Sequence, residues 1–135
     1  MVSDANPPLV LVDAANVVGS VPDGWWRDRV GATERLRDTL NTLATDGLPP
    51  GGELPAWASH PPLDVVLVVE GAARGVQAGP GVRVHSARGS GDDAIVELVR
   101  AAEAGRCLVV TADRALRERV AALGASVAGP RTVRR

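Results

Sequence analysis

The sequence predicts an α/β protein with three layers, in which helices cover both faces of a mostly parallel sheet of about five strands. Short, uninterrupted apolar runs such as Val65-Val66-Leu67-Val68-Val69 are typical of parallel strands that are buried on both faces. Segments with helical spacing of apolar residues lie between these runs. Strands that alternate with helices in this way indicate a sheet covered by helices on both sides.

The strands are predicted from apolar runs that lack a helical period. Val82 and Val84 alternate with Arg83 and His85, which predicts a short strand near an edge of the sheet. A last short edge strand is expected close to the C-terminus. The five predicted strands cover residues 9–12, 65–69, 82–85, 108–110 and 125–128.

The helices are predicted from apolar residues that recur three or four positions apart. Gly47 ends the first helix, and the Pro49-Pro50-Gly51-Gly52 segment prevents its continuation. The predicted helices cover residues 28–44, residues 92–104 and a segment that ends at Gly124. Their inward residues are Ala32, Leu36, Leu40 and Leu43, then Ile95, Leu98, Val99 and Ala102, then Leu116, Val120 and Leu123.

The chain of 135 residues is expected to form one domain, residues 1–135, with a substantial core. We expect a flexible N-terminus at residues 1–8 and a frayed basic tail at residues 130–135. Residues 47–63 hold five of the ten prolines together with Trp57, and they form a long loop. Loops of this length in compact domains are usually functional or poorly ordered.

The composition predicts a soluble cytoplasmic protein. Apolar residues make up 45% of the chain and charged residues 23%, and no run approaches the roughly 20 apolar residues of a membrane span. The N-terminal residues lack the pattern of a secretory signal, and Cys107 has no second cysteine to pair with. The net charge of −1 gives no overall basic signature for nucleic acid, although all fifteen basic residues are arginine.

Acidic residues follow the predicted strands at the positions where a metal nuclease of this fold class needs them. Asp13 and Glu70 end two apolar runs, and Asp113 ends a third, while Asp92 and Asp93 open a helix after Gly89-Ser90-Gly91. Open α/β sheets bind ligands at the carboxyl ends of their strands. Carboxylates brought together there repel one another unless a hard cation joins them, and Mg²⁺ or Mn²⁺ prefers such oxygen ligands.

Three segments together resemble PIN-like nucleases of the NYN class, most closely the YacP-like branch. They are Val12-Asp13-Ala14-Ala15-Asn16-Val17-Val18-Gly19, Ser90-Gly91-Asp92-Asp93-Ala94-Ile95 and Val110-Thr111-Ala112-Asp113-Arg114-Ala115-Leu116. The resemblance covers about 120 residues and fits the loop at 47–63 least well. It implies a PIN-like fold and metal-dependent hydrolysis of RNA phosphodiester bonds.

The resemblance also implies roles for individual residues. Asp13, Asp92 and Asp113 would be the central carboxylates, Asn16 would orient Asp13 or a metal-bound water, and Asp93 would be a further metal ligand. At the end of the second strand, the branch usually has an aspartate, whereas this chain has Glu70. Glu70 is therefore an open candidate for the fourth carboxylate.

Several of these side chains also have structural interpretations. Ser90 with Asp93 fits a variant capping box, Asp92 suits a helix N-terminus, and Asp113 fits a helix N-cap. Each acidic site can therefore serve helix capping, metal binding or both. Neither His60 nor His85 lies where an acid–base catalyst is needed.

Further residues are candidates for contacts with the substrate. Aromatic rings stack on unpaired bases, and Trp25 and Trp26 precede the first helix, although we favour packing at the start of that helix as their role. Arginines flank the acidic motifs and suit phosphate binding, with solvated surface charge as the alternative. The candidates for substrate binding are Ser90, Thr111, Arg114, Arg88, Trp25 and Trp26, with Arg27 as a further flanking arginine.

The function predicted from these features is a ribonuclease that depends on Mg²⁺ or Mn²⁺ and acts on RNA, most readily single-stranded RNA. The alternatives are a phosphohydrolase acting on small nucleotides and a non-catalytic RNA- or protein-binding module on a degenerate nuclease fold. No membrane partner is expected. The oligomeric state, the sequence preference and any ribosome or protein partner stay open.

Overall fold

The computed structural model describes residues 7–52, 54–103 and 105–134. The described strands are β1 (Leu9–Asp13), β2 (Asp64–Val69), β3 (Val82–Ser86), β4 (Cys107–Val110) and β5 (Ser126–Ala128). The described α-helices are α1 (Ala14–Val18), α2 (Arg29–Asp46), α3 (Gly91–Ala101) and α4 (Arg114–Ala121). Short single-turn helices lie at Trp25–Arg27, Ala56–Ser59, Gly71–Ala73 and Pro130–Thr132.

The five strands form one sheet in the order β3-β2-β1-β4-β5, and every neighbouring pair is parallel. This confirms the predicted fold class and places both predicted edge strands at the edges. The central strand β1 pairs with β2 on one side and with β4 on the other. Since the chain leaves β1 toward β2 and returns later on the opposite side, the carboxyl end of β1 lies at a topological switch point.

Alternating residues of the strands face two separate hydrophobic clusters. Val10 and Val12 of β1 pack in the cluster that contains α1 and α2, whereas Leu11 packs in the cluster that contains α3 and α4. The residues of β2 divide in the same way. The continuous apolar runs of the sequence therefore reflect strands that are buried on both faces.

Helix α2 begins and ends close to the predicted positions. The carboxylate of Asp28 caps it by accepting the Gly31 N–H at 2.9 Å. Gly47 ends the helix at φ +87°, and a Cβ there would lie 2.4 Å from the Ser59 carbonyl oxygen. Gly47 is thus required both by the left-handed turn and by the close approach of the following loop.

The loop that follows α2 packs onto the core over its described residues. The Leu48 N–H donates to the Ala58 carbonyl at 2.8 Å, and both side chains are buried. Trp57 packs against the same cluster, and Glu53 lies outside the described residues. The single-turn helix Ala56–Ser59 in this loop and helix α1 were not predicted from the sequence, because neither is long enough to show a helical period.

The structure corrects the expectation of a frayed C-terminal tail for residues 130–134. Val133 is only 2% exposed, and the Arg134 guanidinium donates to the carbonyls of Val17 and Val18 and to Asp23. These contacts tie the chain end to the C-terminus of α1. The expected flexible N-terminus falls largely on residues 1–6, which lie outside the described residues, as does Arg135.

Two helix boundaries also differ from the predictions. Helix α3 ends at Ala101 rather than at Ala104, and Ala104 lies outside the described residues. Helix α4 ends at Ala121, so Leu123 lies in the following turn and is 37% exposed rather than buried. In the described part of the chain, no helix is long and apolar enough to cross a membrane.

Candidate active site

Four acidic positions lie at the carboxyl edge of the sheet. Asp13 is the last residue of β1, Glu70 follows β2 directly, Asp113 follows β4 and caps α4, and Asp92 lies in the first turn of α3. Their charges act on one another. Glu70 and Asp92 both raise the pKa of Asp13, and Asp113 and Glu70 both raise the pKa of Asp92.

Asp13 is the most strongly perturbed of these carboxylates. Its side chain is buried, with 4% of the residue exposed, and burial raises its pKa from 3.8 to about 6. Hydrogen bonds from the Thr111 hydroxyl at 2.9 Å and the Asn16 N–H at 3.5 Å lower the pKa in part. The two charged groups that act on it, Asp92 and Glu70, both raise it further. Asp13 is thus a buried acid in a negative environment.

The contact between Asp13 and Thr111 follows from the register of the central strands. Val12 pairs with Val110, so the next residues, Asp13 and Thr111, emerge side by side although they are 98 positions apart. Thr111 is fully buried, and its oxygen also accepts the Asp113 N–H at 3.1 Å. The expectation that Thr111 contacts the substrate is therefore corrected: the residue positions Asp13 and the start of α4.

Asn16 connects the first acidic motif to the third. Its side-chain oxygen accepts the Ala112 N–H at 2.8 Å, whereas it is its backbone N–H that donates to Asp13. The Asn16 amide therefore holds the loop between β4 and α4 against the N-terminus of α1. This contact explains the Asp-x-x-Asn spacing in structural terms, because α1 brings the asparagine one turn beyond the aspartate.

Glu70 is directed to the start of α3. Its Oε1 accepts the Gly91 N–H at 2.8 Å, and a Cβ at position 91 would lie 2.5 Å from that oxygen. A side chain at position 91 would thus displace the Glu70 carboxylate from this contact. No role was predicted for Gly91 from the sequence, although its position between the candidate site residues Ser90 and Asp92 could have indicated one.

The capping interpretation holds for Ser90, whose hydroxyl oxygen accepts the Asp93 N–H at 3.1 Å. The Asp93 carboxylate pairs with Arg119 of α4 at 3.1 Å and is largely exposed. Asp92 is half-buried, and burial followed by the Asp113 and Glu70 charges raises its pKa, while Arg119 lowers it. The two adjacent aspartates therefore differ in environment: the charges of Asp113 and Glu70 act on Asp92, whereas Asp93 forms an exposed ion pair with Arg119.

Asp113 caps α4 as the sequence allowed. Its Oδ1 accepts the Leu116 N–H at 3.1 Å. A capping aspartate uses one oxygen in this way and keeps further lone pairs for another partner. Capping and a contribution to the acidic site are therefore compatible at this position.

The donor atoms of this site are the oxygen type that Mg²⁺ and Mn²⁺ prefer. Among the residues that the structure describes, no three His, Cys, Asp or Glu side chains are grouped closely enough to hold a metal ion by themselves. Mg²⁺ usually keeps several waters and takes one or two carboxylates directly. The described residues thus do not form a cage of three protein ligands, and an ion at this site would have to take one or two carboxylates and complete its shell with water.

The two adjacent tryptophans have different environments. Trp25 packs against the hydrophobic cluster under α2, as favoured from the sequence, whereas Trp26 is 52% exposed. The guanidinium of Arg29 lies 5.3 Å from the ring centroid of Trp25, and that of Arg27 lies 5.7 Å from the ring centroid of Trp26. Both pairs are within the range of cation–π contact.

The remaining candidate residues are on the surface. Arg114 is exposed at the first position of α4, and Arg88 is exposed with its carbonyl accepting a bond from Arg74. His60 and His85 are both exposed. Cys107 is buried and free, and burial raises its pKa to about 11.

Two solved structures share the fold. A tryptophan-to-leucine variant of Rae1 (YacP) from Bacillus subtilis has a TM-score of 0.70 and 16% identity, covering 93% of this chain and 72% of that one. A second structure of Rae1 (YacP) from Bacillus subtilis has a TM-score of 0.68 and 19% identity, covering 92% and 70% of the two chains. No family model and no curated protein matches. The structural neighbours confirm the resemblance to the YacP-like branch of PIN-like proteins at the level of the fold.

Proposed function

We propose that this protein is a ribonuclease that depends on Mg²⁺ or Mn²⁺ and hydrolyses RNA phosphodiester bonds at the acidic site. The observation that carries the proposal is the state of Asp13. It is buried at the switch point of the sheet, and the charged groups acting on it are carboxylates. A divalent cation at this edge would offset both the cost of burying the Asp13 charge and the repulsion between Asp13 and the other carboxylates.

The chain would hold the ion through Asp13 together with Asp92, with Asp113 and Glu70 as further oxygen donors around its waters. When bound, the ion would lower the pKa of an attacking water and offset the charge that develops on the phosphate. With its pKa raised to about 6, Asp13 is mostly ionised at neutral pH. Thr111 holds one of its oxygens, which leaves its orientation little freedom.

Further contacts within the protein would position the acidic groups. Thr111 and Asn16 join the end of β1 to the loop before α4, and Glu70 sets the start of α3, where Asp92 lies. The exposed guanidiniums of Arg88 and Arg114 would hold phosphates of the RNA strand. With a net charge of −1, the protein attracts the strand weakly at long range.

The test is cleavage of a labelled single-stranded RNA by purified protein with Mg²⁺, with Mn²⁺ and with a chelator. The Asp92→Asn variant removes one charge from the acidic group, and the Asp38→Asn variant removes an exposed charge on α2 as a matched control. Cleavage should require the metal, be lost in Asp92→Asn and be retained in Asp38→Asn. Equal cleavage by all three proteins, or cleavage that persists with chelator, would contradict the proposal.

A further inference from the structure

A small cavity lies directly beside the acidic site, between the start of α1, the start of α2 and the segment after β2. Its volume is about 140 Å³. Pockets for drug-sized ligands are larger, about 300–1,000 Å³, so this cavity takes one compact ring system. Small side chains, including Ala14, Ala15 and Ala73, line part of it and leave the space open.

Two of the residues in the lining carry planar groups. They are the indole of Trp25 and the guanidinium of Arg29, which lie 5.3 Å apart as a cation–π pair. Both kinds of plane stack on unpaired nucleobases. Thr33 also lines the cavity, but its hydroxyl donates to the Arg29 carbonyl at 2.7 Å within α2. The cavity is therefore suited to a flat, polarisable ring.

Two residues join this cavity to the acidic site. Ala14 follows Asp13 directly, and Glu70, whose charge acts on Asp13 and Asp92, is one of the residues in the lining. A carboxylate accepts hydrogen bonds from the amino and imino groups on the edge of a base. A strand whose phosphate lies at the acidic site would thus bring one neighbouring base to the cavity.

We propose that this cavity, with Trp25 and Arg29 as its planar walls, is a subsite that binds one unpaired nucleobase of the RNA strand. This inference rests on the proposed function, because that function brings an RNA strand to the acidic site. The low net charge of the protein makes such a subsite useful, because backbone contacts alone provide little attraction. The subsite also predicts selection against paired RNA, since a base within a duplex cannot enter the cavity.

Intrinsic fluorescence tests the subsite without any cleavage. The chain has three tryptophans and no tyrosine, so the double variant Trp26→Phe/Trp57→Phe has Trp25 as its only strong emitter. The probe is a short single-stranded oligoribonucleotide in chelator, and the control is an abasic oligonucleotide of the same length and charge. Stacking should quench the emission with the oligoribonucleotide and leave it unchanged with the abasic control.

A paired set of variants measures how much the ring contributes. Trp25→Ala should weaken binding of the oligoribonucleotide about 5- to 150-fold, the range for loss of one base–aromatic stack. Leu123→Ala removes an exposed apolar side chain outside the cavity lining and should change the affinity little. Ala15→Leu adds bulk at an exposed residue of the lining and should weaken binding while the fold is retained. Circular dichroism and melting curves verify that each variant is folded.

The outcomes separate this inference from the proposed function. Quenching without any metal-dependent cleavage would support the subsite and contradict the nuclease. Metal-dependent cleavage with no quenching, and with equal affinity in Trp25→Ala, would overturn the subsite alone. Equal quenching by the oligoribonucleotide and the abasic control would also overturn it. If a nucleoside monophosphate quenches the emission as strongly as the oligomer at equal concentration, the cavity binds free nucleotides, and the proposal that it binds a base of an RNA strand is overturned.

Discussion

Replacement of Asp13 by asparagine tests the electrostatic basis of the site, because it removes a buried charge and keeps the shape of the side chain. The pKa of Asp13 is raised from 3.8 to about 6. One pKa unit corresponds to about 1.4 kcal/mol, so the charged form costs the folded state roughly 3 kcal/mol. The residue is 4% exposed, so solvent screening reduces this figure little.

The sign of the effect depends on pH. Below pH 3.8 the carboxyl is protonated in both states, and it adds no pH-dependent term. Between 3.8 and about 6 the folded protein holds a proton that the unfolded chain has released, so this group lowers stability as the pH rises. Above pH 6 the full penalty is present. Metal-free wild-type protein should therefore lose about 3 kcal/mol of stability from this group across that window.

Asparagine avoids this penalty but has one acceptor oxygen where aspartate has two. It can keep the bond from Thr111 and lose the longer one from Asn16, at a cost of about 1 kcal/mol. At pH 7.5 in chelator, Asp13→Asn should therefore be more stable than wild type by about 2 kcal/mol. At 1 kcal/mol for about 4 °C in a domain of this size, the melting temperature should rise about 8 °C. Near pH 3.5 the penalty is nearly absent, so the variant should be about 1 kcal/mol less stable than wild type.

Urea denaturation at several pH values measures the effect, with Asp38→Asn as the control for loss of an exposed charge. Mg²⁺ or Mn²⁺ should stabilise wild type more than Asp13→Asn, because the charge it neutralises is absent from the variant. A variant that is less stable than wild type at pH 7.5 by as much as at pH 3.5 would refute the reasoning. It would show that the Asp13 carboxylate is stabilised by its partners rather than strained by burial.

Three further predictions concern the same site. Asp113→Asn should abolish metal-dependent cleavage. The metal-free melting temperature should stay near wild type or rise slightly, because asparagine still caps α4 while one charge beside Asp92 is removed. Full retention of cleavage would show that Asp113 is not part of the site. Thr111→Val should cost about 1–3 kcal/mol in urea denaturation and raise the pKa of Asp13 in an NMR titration, whereas Thr111→Ser should retain both properties. Cleavage should favour an unstructured strand over a duplex and weaken steeply with added salt, and equal rates on both substrates would argue against single-stranded RNA.

The sequence by itself determined the layers of the fold and the ends of its strands. Continuous apolar runs are sufficient to indicate strands buried on both faces, and such strands occur where helices cover a parallel sheet. The order of the motifs also placed Asp13 and Asp113 after two strands, which sends both to one edge. These features could be predicted because they depend on local periodicity and on the parallel direction of the strands.

Only the tertiary structure decided which of those polar residues meet and how. The Thr111 hydroxyl reaches Asp13 because β1 and β4 are neighbours in register, and no local pattern encodes that register. The contact of Glu70 with Gly91 depends likewise on where α3 begins beyond the adjacent strand. The single-turn helices and the docked Arg134 were missed because their stability comes from contacts across the molecule rather than from periodicity. The raised pKa of Asp13 has the same origin, since burial and neighbouring charge exist only when the sheet is assembled.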